Sequence, residues 1–424
     1  MKEAVLCVDI GSSSLKAAFM ADSPTPLAFA SRTFTTTGSN SFALEWVGAL
    51  KEVIKELKGK SPDTGIEAIC ISGNGPTIVS EDGTTFMWSK YSPAKVKDSK
   101  SLFIPYLLGF KKTFPSQWHN SKKIFGAPEY LIYRLTESEV SILPEKRYEE
   151  IYWTKEQLFS EGFTEDDIKK LPNFVPSSAL AGKVSQKGAQ ETGLIEGTLV
   201  FCGAPDFIVA LIGTNTLSEG FICDRAGSSE GINLCTTKPL TSPLVRTLPS
   251  FIPGLWNASV LIPNSGSRFD SFKEKVEKLT GENFSYQNLF KILLENDKKS
   301  SVQKIIPTEL KQEGIFILQD ITQKICEGVN ILKEEAKKSG QIIPYEITVT
   351  GGQAQNESWC QKKCDLLGMP LIVTSCDAAE LIGDNILART ALGYYDSFEE
   401  ATFALVKKEK IYLPCKNSSQ KSQG

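Results

Sequence analysis

The feature that most constrains this chain is a pair of glycine–serine turns, one in each half, each set between two strand-like segments. The first turn lies in VDIGSSSLK (residues 8–16), and the second lies in RAGSSEGIN (residues 225–233). Taken alone, either turn is as readily an ordinary β-turn as a phosphate site. Two such turns at corresponding positions favour a shared role, because successive amides in a tight turn form an anion-binding concavity.

The two halves also share the order of the segments that follow each turn. In each half, a segment with apolar side chains at helical spacing precedes a strand that ends in glycine. The helices are predicted at 42–58 and 315–338, and the strands end at Gly73 and Gly351. This order predicts a duplicated α/β fold whose two copies flank a nucleotide cleft, since such folds place ligands at strand-end glycine turns.

The predicted domain boundaries follow from this duplication. The first domain spans 1–217 and the second spans 218–413, followed by a polar tail at 414–424. A helix at 377–393 is expected to close the second domain. The lysine-rich residues 89–124 are interpreted as an irregular surface excursion of the first domain.

The composition excludes several classes of protein. The 424 residues carry a net charge of −3, so neither nucleic acid nor a membrane surface is an expected partner. No apolar run approaches the ~18 residues of a membrane span, and the N-terminus does not resemble a secretory signal, so a cytoplasmic protein is expected. His119 is the only histidine, which excludes a histidine-based catalytic triad.

Asp9 and the residues after it suit a metal-bound phosphate. A carboxylate at the end of a strand can hold Mg²⁺ directly or through water. The amides and hydroxyls of Gly11, Ser12 and Ser13 can donate to phosphate oxygens. Lys16 would add positive charge, although a solvated lysine is an equally simple interpretation. The second turn offers donors of the same kind, from Gly227, Ser228 and Ser229.

Two further motifs place polar residues directly after apolar strands. In LVFCGAPDF, Asp206 lies where a helix is predicted to begin, and it is either a general base for phosphoryl transfer or simply an N-cap. In VTGGQAQNESW, Gly351 and Gly352 would let the backbone approach a planar base or its ribose, with Asn356 near the next helix start. A plain strand–helix turn is the alternative interpretation of the second motif.

Taken together, these segments resemble the FGGY family of carbohydrate kinases, and its xylulokinase-like members in particular. Eight segments follow the family's order through most of the chain. They are VDIGSSSLKAAF, ICISGNGPTIV, APEYLIYRLTE, the passage from LPNFVPSS to TNTLSEG, RAGSSEGIN, ICEGVNIL, VTGGQAQNESWCQKKCDLLGMPLIV and DAAELIGDNILARTALGYYDSFEEA. The resemblance implies an α/β fold of two actin-like (RNase H-like) ATPase domains flanking a nucleotide cleft.

The resemblance also implies a role for each matching residue. Asp206 matches the general base, and Asp9 matches the aspartate that holds Mg²⁺ and phosphate. The implied reaction transfers the γ-phosphoryl group of ATP to a hydroxyl of a sugar, polyol or sugar acid. A homodimer is the expected assembly. The positions implied to bind ATP are Asp9, Gly11, Ser12, Ser13, Lys16, Gly227, Ser228, Ser229, Gly351, Gly352 and Asn356.

The expected sugar pocket departs from the family's pattern. The family's sugar loop often reads Q-M-H-G, where this chain has NGPT (residues 74–77), and the usual W-x-D-x-R is reduced to WSK (residues 88–90). Two alternatives therefore stay open: a catalytically impaired nucleotide-binding or regulatory pseudokinase on the same fold, and an actin-like ATPase that drives a partner. The candidate sugar contacts are Asn74, Thr77, Trp88 and Asp206.

Overall fold

The computed structural model describes residues 2–35, 40–97, 100–227, 229–294, 306–376 and 378–415. The chain divides into two compact units, and each is described by itself. The first unit comprises Met1–Gly213, Phe251–Pro253 and Ala379–Val406. The second unit comprises Thr214–Ser250, Gly254–Ala378 and Lys407–Gly424.

The first unit contains a central sheet and helices from both ends of the chain. Its strands are β1 (Lys2–Ile10), β2 (Ser14–Met20), β3 (Ala28–Thr33), β4 (Thr64–Gly73), β5 (Ile78–Ser80), β6 (Thr85–Phe86), β7 (Ile124–Phe125), β8 (Ser141–Leu143), β9 (Phe174–Pro176), β10 (Leu180–Lys183) and β11 (Leu199–Pro205). Its helices are α1 (Phe42–Lys60), α2 (Ile104–Thr113), α3 (Pro115–Asn120), α4 (Ala127–Thr136), α5 (Glu149–Tyr152), α6 (Lys155–Ser160), α7 (Glu165–Ile168), α8 (Gln186–Thr192), α9 (Asp206–Gly213) and, later in the chain, α14 (Ala379–Ala391) and α15 (Phe398–Leu405).

Within the described residues, this sheet has six strands in the order β10-β11-β4-β1-β2-β3. Strands β1, β4 and β11 are parallel, whereas β2, β3 and β10 run antiparallel to their neighbours. Strand β1 is an almost continuous buried run because both faces of the sheet are covered. Its residues alternate between the faces: Leu6 and Val8 pack in the core with α1, and the intervening residues lie towards α14.

The second unit repeats this arrangement. Its strands are β12 (Ile222–Ala226), β13 (Glu230–Thr236), β14 (Arg246–Pro249), β15 (Trp256–Ile262), β16 (Ile347–Gly351), β17 (Leu371–Thr374) and β18 (Lys408–Tyr412). Its helices are α10 (Ser265–Thr280), α11 (Tyr286–Leu294), α12 (Thr308–Lys338) and α13 (Glu357–Leu367). The described strands follow the order β14-β15-β13-β12-β16-β17-β18, with β12, β16 and β17 parallel.

Two expectations from the sequence differ from the structure. The segment 379–406, expected in the second domain, belongs to the first unit, because α14 packs against β1 and β4. The segment 89–124 is irregular only in part. Its described residues before 104 form no helix or strand, whereas residues 104–120 form α2 and α3, whose apolar side chains build a small separate core that includes Leu107, Phe110 and Trp118.

Among the described residues, no helix combines the length and the apolar character that a membrane crossing requires. The predicted tail at 414–424 lies outside the described residues from residue 416 onward.

Candidate active site

Three parallel strands of the first unit end together at one edge of the sheet. Ile10 at the end of β1 is in register with Gly73 at the end of β4, and Gly73 is in register with Pro205 at the end of β11. Asp9, Asn74 and Asp206 are neighbours of these three residues along the chain. The structure therefore brings three of the predicted site residues to the same edge of one sheet.

Asp9 is nearly buried, with 3% of its surface exposed. It lies directly opposite Lys16 in the antiparallel pair of β1 and β2. Opposite residues of an antiparallel pair share a face of the sheet, with their Cβ atoms about 5 Å apart. The positive charge of Lys16 is thus available beside the Asp9 carboxylate, as the sequence indicates.

The turn after β1 is closed by its own backbone. The amide of Gly11 donates to the carbonyl oxygen of Ser14 at 2.9 Å. A Cβ atom at position 11 would lie 2.9 Å from that same oxygen, so the turn requires glycine. Because this bond uses the Gly11 amide, the donors for a phosphate in this turn would be Ser12 and Ser13.

Asn74 and Thr77 are buried, and their polar groups bond to protein atoms. The Asn74 Nδ2 donates to the carbonyl oxygens of Ile10 (2.9 Å) and Gly11 (3.0 Å). The Thr77 hydroxyl donates to Asn74 Oδ1 at 2.5 Å. These bonds tie the loop after β4 to the turn after β1, so they fix the position of both.

Trp88 links the predicted sugar pocket to the first turn. Its indole Nε1 donates to the Ser12 hydroxyl at 3.1 Å, and its amide donates to the Thr77 hydroxyl at 3.4 Å. The indole is 40% exposed, so one edge of it also faces solvent. Trp88 therefore contacts both predicted parts of the site, the phosphate turn and the sugar loop.

A narrow cavity adjoins this loop. Asn74, Thr77 and Pro205 line it together with Glu129, the third residue of α4. The Glu129 carboxylate accepts the amide of Ile142 at 3.0 Å, and burial raises its pKa to about 7. Glu129 supplies a carboxyl group near a pocket whose sequence lacks the family's usual acidic residue.

Asp384 is a buried carboxyl group close to Asp9 that the sequence analysis did not single out. It lies on α14, is fully buried, and accepts the Ser72 hydroxyl at 2.9 Å beneath the end of β4. Burial raises its pKa well above the usual range, and the charge of Asp9 adds to this rise while Ser72 opposes it. A Cβ atom at Gly203 would lie 2.4 Å from the Ile71 carbonyl oxygen and 2.8 Å from Asp384 Oδ1, so glycine is required where β11 passes both β4 and Asp384.

The second unit places its own glycine–serine turn between β12 and β13. The amide of Gly227 donates to Ser229 O at 3.1 Å, and the Ser229 hydroxyl accepts the amide of Asn264 at 3.0 Å. The predicted site residue Ser228 lies outside the described residues. One backbone bond therefore closes the described ends of this turn on each other, and the Ser229 side chain ties the turn to the residue before α10.

The predicted adenosine segment adjoins this turn in the same unit. Gly351 has a φ of +91°, and a Cβ atom there would lie 1.9 Å from Ala226 O, so only glycine fits. Around Gly352 nothing would lie within 4 Å of an added Cβ atom. Asn356 caps α13, since its Oδ1 accepts the amide of Trp359 at 2.8 Å. Gly352 leaves the open space that a ligand would need, and Asn356 has a structural role.

A meander of three antiparallel strands that continues into two parallel strands occurs in both units. This duplicated topology is that of the actin-like (RNase H-like) fold, and solved structures of the same fold confirm the predicted fold class. The ligand-bound xylulose kinase of Lactobacillus acidophilus superposes with a TM-score of 0.74, covering 97% of this chain and 94% of that one at 16% identity. The nucleotide cleft predicted between the domains stays a prediction.

Sequence comparisons agree with the fold. Residues 317–392 match the model of the FGGY family of carbohydrate kinases, C-terminal domain. A xylulose kinase of Staphylococcus epidermidis is 22% identical over 478 aligned positions, covering 98% of this chain and 93% of that protein. A human FGGY carbohydrate kinase domain-containing protein is 22% identical over 362 positions, and the match spans 70% of this chain and 65% of that protein. The predicted resemblance is confirmed: the chain is similar to FGGY carbohydrate kinases, with xylulose kinases among the similar proteins.

Proposed function

We propose that the chain is an ATP-dependent carbohydrate kinase that phosphorylates a hydroxyl group of a sugar, polyol or sugar acid. The observation that carries this proposal is the placement of Asp9, Asn74 and Asp206 at one edge of the first unit's sheet. Side chains on rigid strand ends keep the geometry that phosphoryl transfer needs. The similarity to a xylulose kinase over 98% of the chain makes a ketose the favoured acceptor.

In this proposal Asp206 is the general base. It is the first residue of α9, where the positive end of the helix dipole stabilises negative charge on the side chain. The acceptor hydroxyl would give its proton to Asp206 as the γ-phosphoryl group is transferred in line. A base on a helix start directly after a buried strand is held rigidly, which supports this role over that of a mere cap.

The residues around Asp9 fit a metal-bound triphosphate. Proteins commonly bind Mg²⁺ through one or two carboxylates together with substrate phosphates, and Asp9 supplies one carboxylate at the end of β1. Asp9 would hold the ion, directly or through water, and Lys16, Ser12 and Ser13 would contact phosphate oxygens. When bound, Mg²⁺ would neutralise charge that develops on the transferred group.

The other predicted site residues would position the substrates or contact them. Asn74 and Thr77 would position the loop after β4, because their polar groups already bond to protein atoms. Trp88 would contact the substrate with its exposed edge. In the second unit the turns around Gly227 and Gly351 would contact nucleotide. A cytoplasmic location and a homodimer remain part of the proposal.

The test is an ADP-release assay with a panel of ketoses, polyols and sugar acids. Wild-type protein should release ADP with at least one acceptor. Asp206→Asn should lower kcat by about 10²–10⁴-fold while leaving ATP affinity largely intact. Asp166→Asn is the matched control, because that carboxylate is 86% exposed and pairs with Lys169 at the surface. Near-normal turnover of Asp206→Asn would mean that Asp206 is not the base.

The same assay distinguishes the kinase from the two alternative functions. ATP binding without sugar-dependent ADP release across the whole panel would favour the nucleotide-binding regulatory protein, and sugar-independent ATP hydrolysis would favour the partner-driving ATPase. The comparisons give neither alternative support.

A further inference from the structure

Three charged side chains are buried together in the second unit. The Lys363 ammonium contacts Asp224 Oδ2 at 2.8 Å and Glu230 Oε1 at 3.3 Å. Each of the three residues is 0% exposed. Three ionised groups in a protein interior carry a desolvation penalty that often exceeds their attraction, so stability alone gives little reason for such a cluster. We refer to Asp224, Glu230 and Lys363 as the buried triad.

The buried triad lies at the base of both predicted nucleotide segments of this unit. Asp224 is on β12 and Glu230 is the first residue of β13, so the two carboxylates stand on either side of the turn 227–229. Lys363 is on α13, the helix that follows the Gly351–Gly352 turn. Gln353, from the same segment, lies close to Glu230 and lowers its pKa. The buried triad is therefore built from the strands that flank the turn and from the helix after the Gly351–Gly352 turn.

The charges of the buried triad do not balance. Two carboxylates face one ammonium, and the neighbouring groups include the neutral amide of Gln353 and the thiols of Cys223, Cys326 and Cys360, whose pKa values burial raises. Burial raises the pKa of Glu230 to about 7, with Lys363 opposing the rise and Asp224 adding to it. Glu230 is therefore the group of the triad that takes up a proton near neutral pH.

The hydrogen bonding of the buried triad also favours protonation. Within the described residues, Asp224 Oδ1 and Glu230 Oε2 are buried and accept no hydrogen bond. A buried acceptor without a donor is costly, and a proton on Glu230 removes the negative charge from one of these carboxyl groups.

We propose that the buried triad is a proton-linked positioning site for nucleotide binding. With one bound proton the triad is neutral and the adjoining turn accepts a polyphosphate, whereas loss of that proton leaves one negative charge beneath the turn. This inference rests on the proposed function, because it requires Gly227 and Ser229, the described residues of this turn, to hold nucleotide phosphates. A like charge repels a polyanion more strongly inside a protein than in water, because the effective dielectric constant is lower.

The direction of the pH dependence follows from this charge count. Bound polyphosphate favours the protonated triad, so nucleotide binding takes up a proton and affinity falls as the pH rises through about 7. Glu230→Gln and Asp224→Asn each leave one carboxylate for one ammonium. Both variants should therefore lose this part of the pH dependence and keep the affinity that wild-type protein shows at low pH.

The experiment is calorimetric titration of the full chain with Mg²⁺-ADP between pH 6 and 8.5. Relative to Glu230→Gln and Asp224→Asn, the dissociation constant of wild-type protein should rise roughly five- to ten-fold more from low to high pH. The ionisation of ADP itself cancels in this comparison. Glu313→Gln is the matched control: it makes the same chemical change at a carboxylate that is 41% exposed and pairs with Lys275, and it should follow wild type.

Three results would overturn the inference: pH profiles of wild type and Glu230→Gln that coincide within two-fold, folded Glu230→Gln that binds no ADP at pH 6, or the absence of proton uptake. Uptake is measured on wild-type protein at pH 7 in two buffers of different ionisation enthalpy, and this decides the matter if a variant fails to fold. Wild-type protein that binds no ADP at any pH would end the proposed function as well, whereas pH-independent binding would end only this inference.

Discussion

The buried carboxyl group of Asp384 has a consequence for stability. Because burial raises its pKa in the folded protein, the fold favours the protonated form. This contribution to the free energy of unfolding is present in full below the pKa of the aspartate in the unfolded chain, about 4. It is lost as the pH rises towards the pKa of Asp384 in the folded protein. Asp384 therefore makes the first unit less stable at neutral pH than at mildly acidic pH.

Asp384→Asn should remove this pH dependence, because asparagine keeps the shape and the acceptor for Ser72 but does not ionise. We expect the stability of the variant relative to wild type to rise between pH 5 and pH 8, because only the wild-type carboxyl group ionises with a raised pKa. Denaturant midpoints of both proteins at the two pH values provide the measurement. An equal gap at both values would show that Asp384 ionises normally in the fold.

For single residues, the sequence singled out the acidic residues near strand ends but not the charged residues that are buried on helices. Asp9 and Asp206 directly follow apolar strand runs, so their position alone indicates a site. Asp384 and Lys363 lie within helices, where a charged residue is normally assigned to the solvated face. Only tertiary packing shows that both are buried, and no local pattern in the sequence carries that information.

Among the elements, α9 and α14 meet at two glycines. A Cβ atom at Gly383 would lie 2.0 Å from Val209 O, and one at Gly213 would lie 1.9 Å from Ala379 O. The two helix backbones therefore touch, and α9 begins with the proposed base Asp206. Any side chain at these positions must push the helices apart.

Gly383→Ala should destabilise the protein by about 2–3 kcal/mol and lower kcat, because it displaces the helix that holds Asp206. The matched control is Gly48→Ala in α1, where nothing lies within 4 Å of the added Cβ atom. That variant should be neutral or more stable by roughly 0.5–1 kcal/mol, since alanine favours helix over glycine. Denaturation and the ADP-release assay compare the two. Similar behaviour of both variants would contradict the close contact.

The elements of both sheets were largely predictable, because buried parallel strands and long amphipathic helices leave strong patterns. The segment 89–124 was not recognised. Its apolar residues at 104, 107, 110, 114 and 118 have helical spacing, but the surrounding lysines suggest an exposed loop. The helical spacing of these apolar residues was the signal that could have predicted the helices. The buried cluster of α2 and α3 shows that this spacing is more informative here than the nearby lysines.

At the scale of the whole molecule, the first unit is discontinuous in sequence. The chain leaves it at Gly213 and returns with Ala379, after the second unit's sheet has been completed. Helix α14 then covers the face of the sheet opposite α1, with Leu381, Ile382 and Ile386 fully buried. A single boundary between residues 217 and 218 assigns residues 379–406 to the second unit. The duplication in the sequence does not reveal which unit a late helix packs against.

Residues 1–213 alone should therefore fail to fold cooperatively, since the face of β1 and β4 towards α14 would expose apolar side chains such as Val5. Joining residue 213 to residues 379–406 through a short glycine–serine linker should restore a cooperative thermal transition and native near-ultraviolet circular dichroism. A short linker suffices because the backbones of Gly213 and Ala379 are already in contact. If residues 1–213 unfold as cooperatively as the joined chain, α14 is dispensable for the first unit and the discontinuous division is wrong.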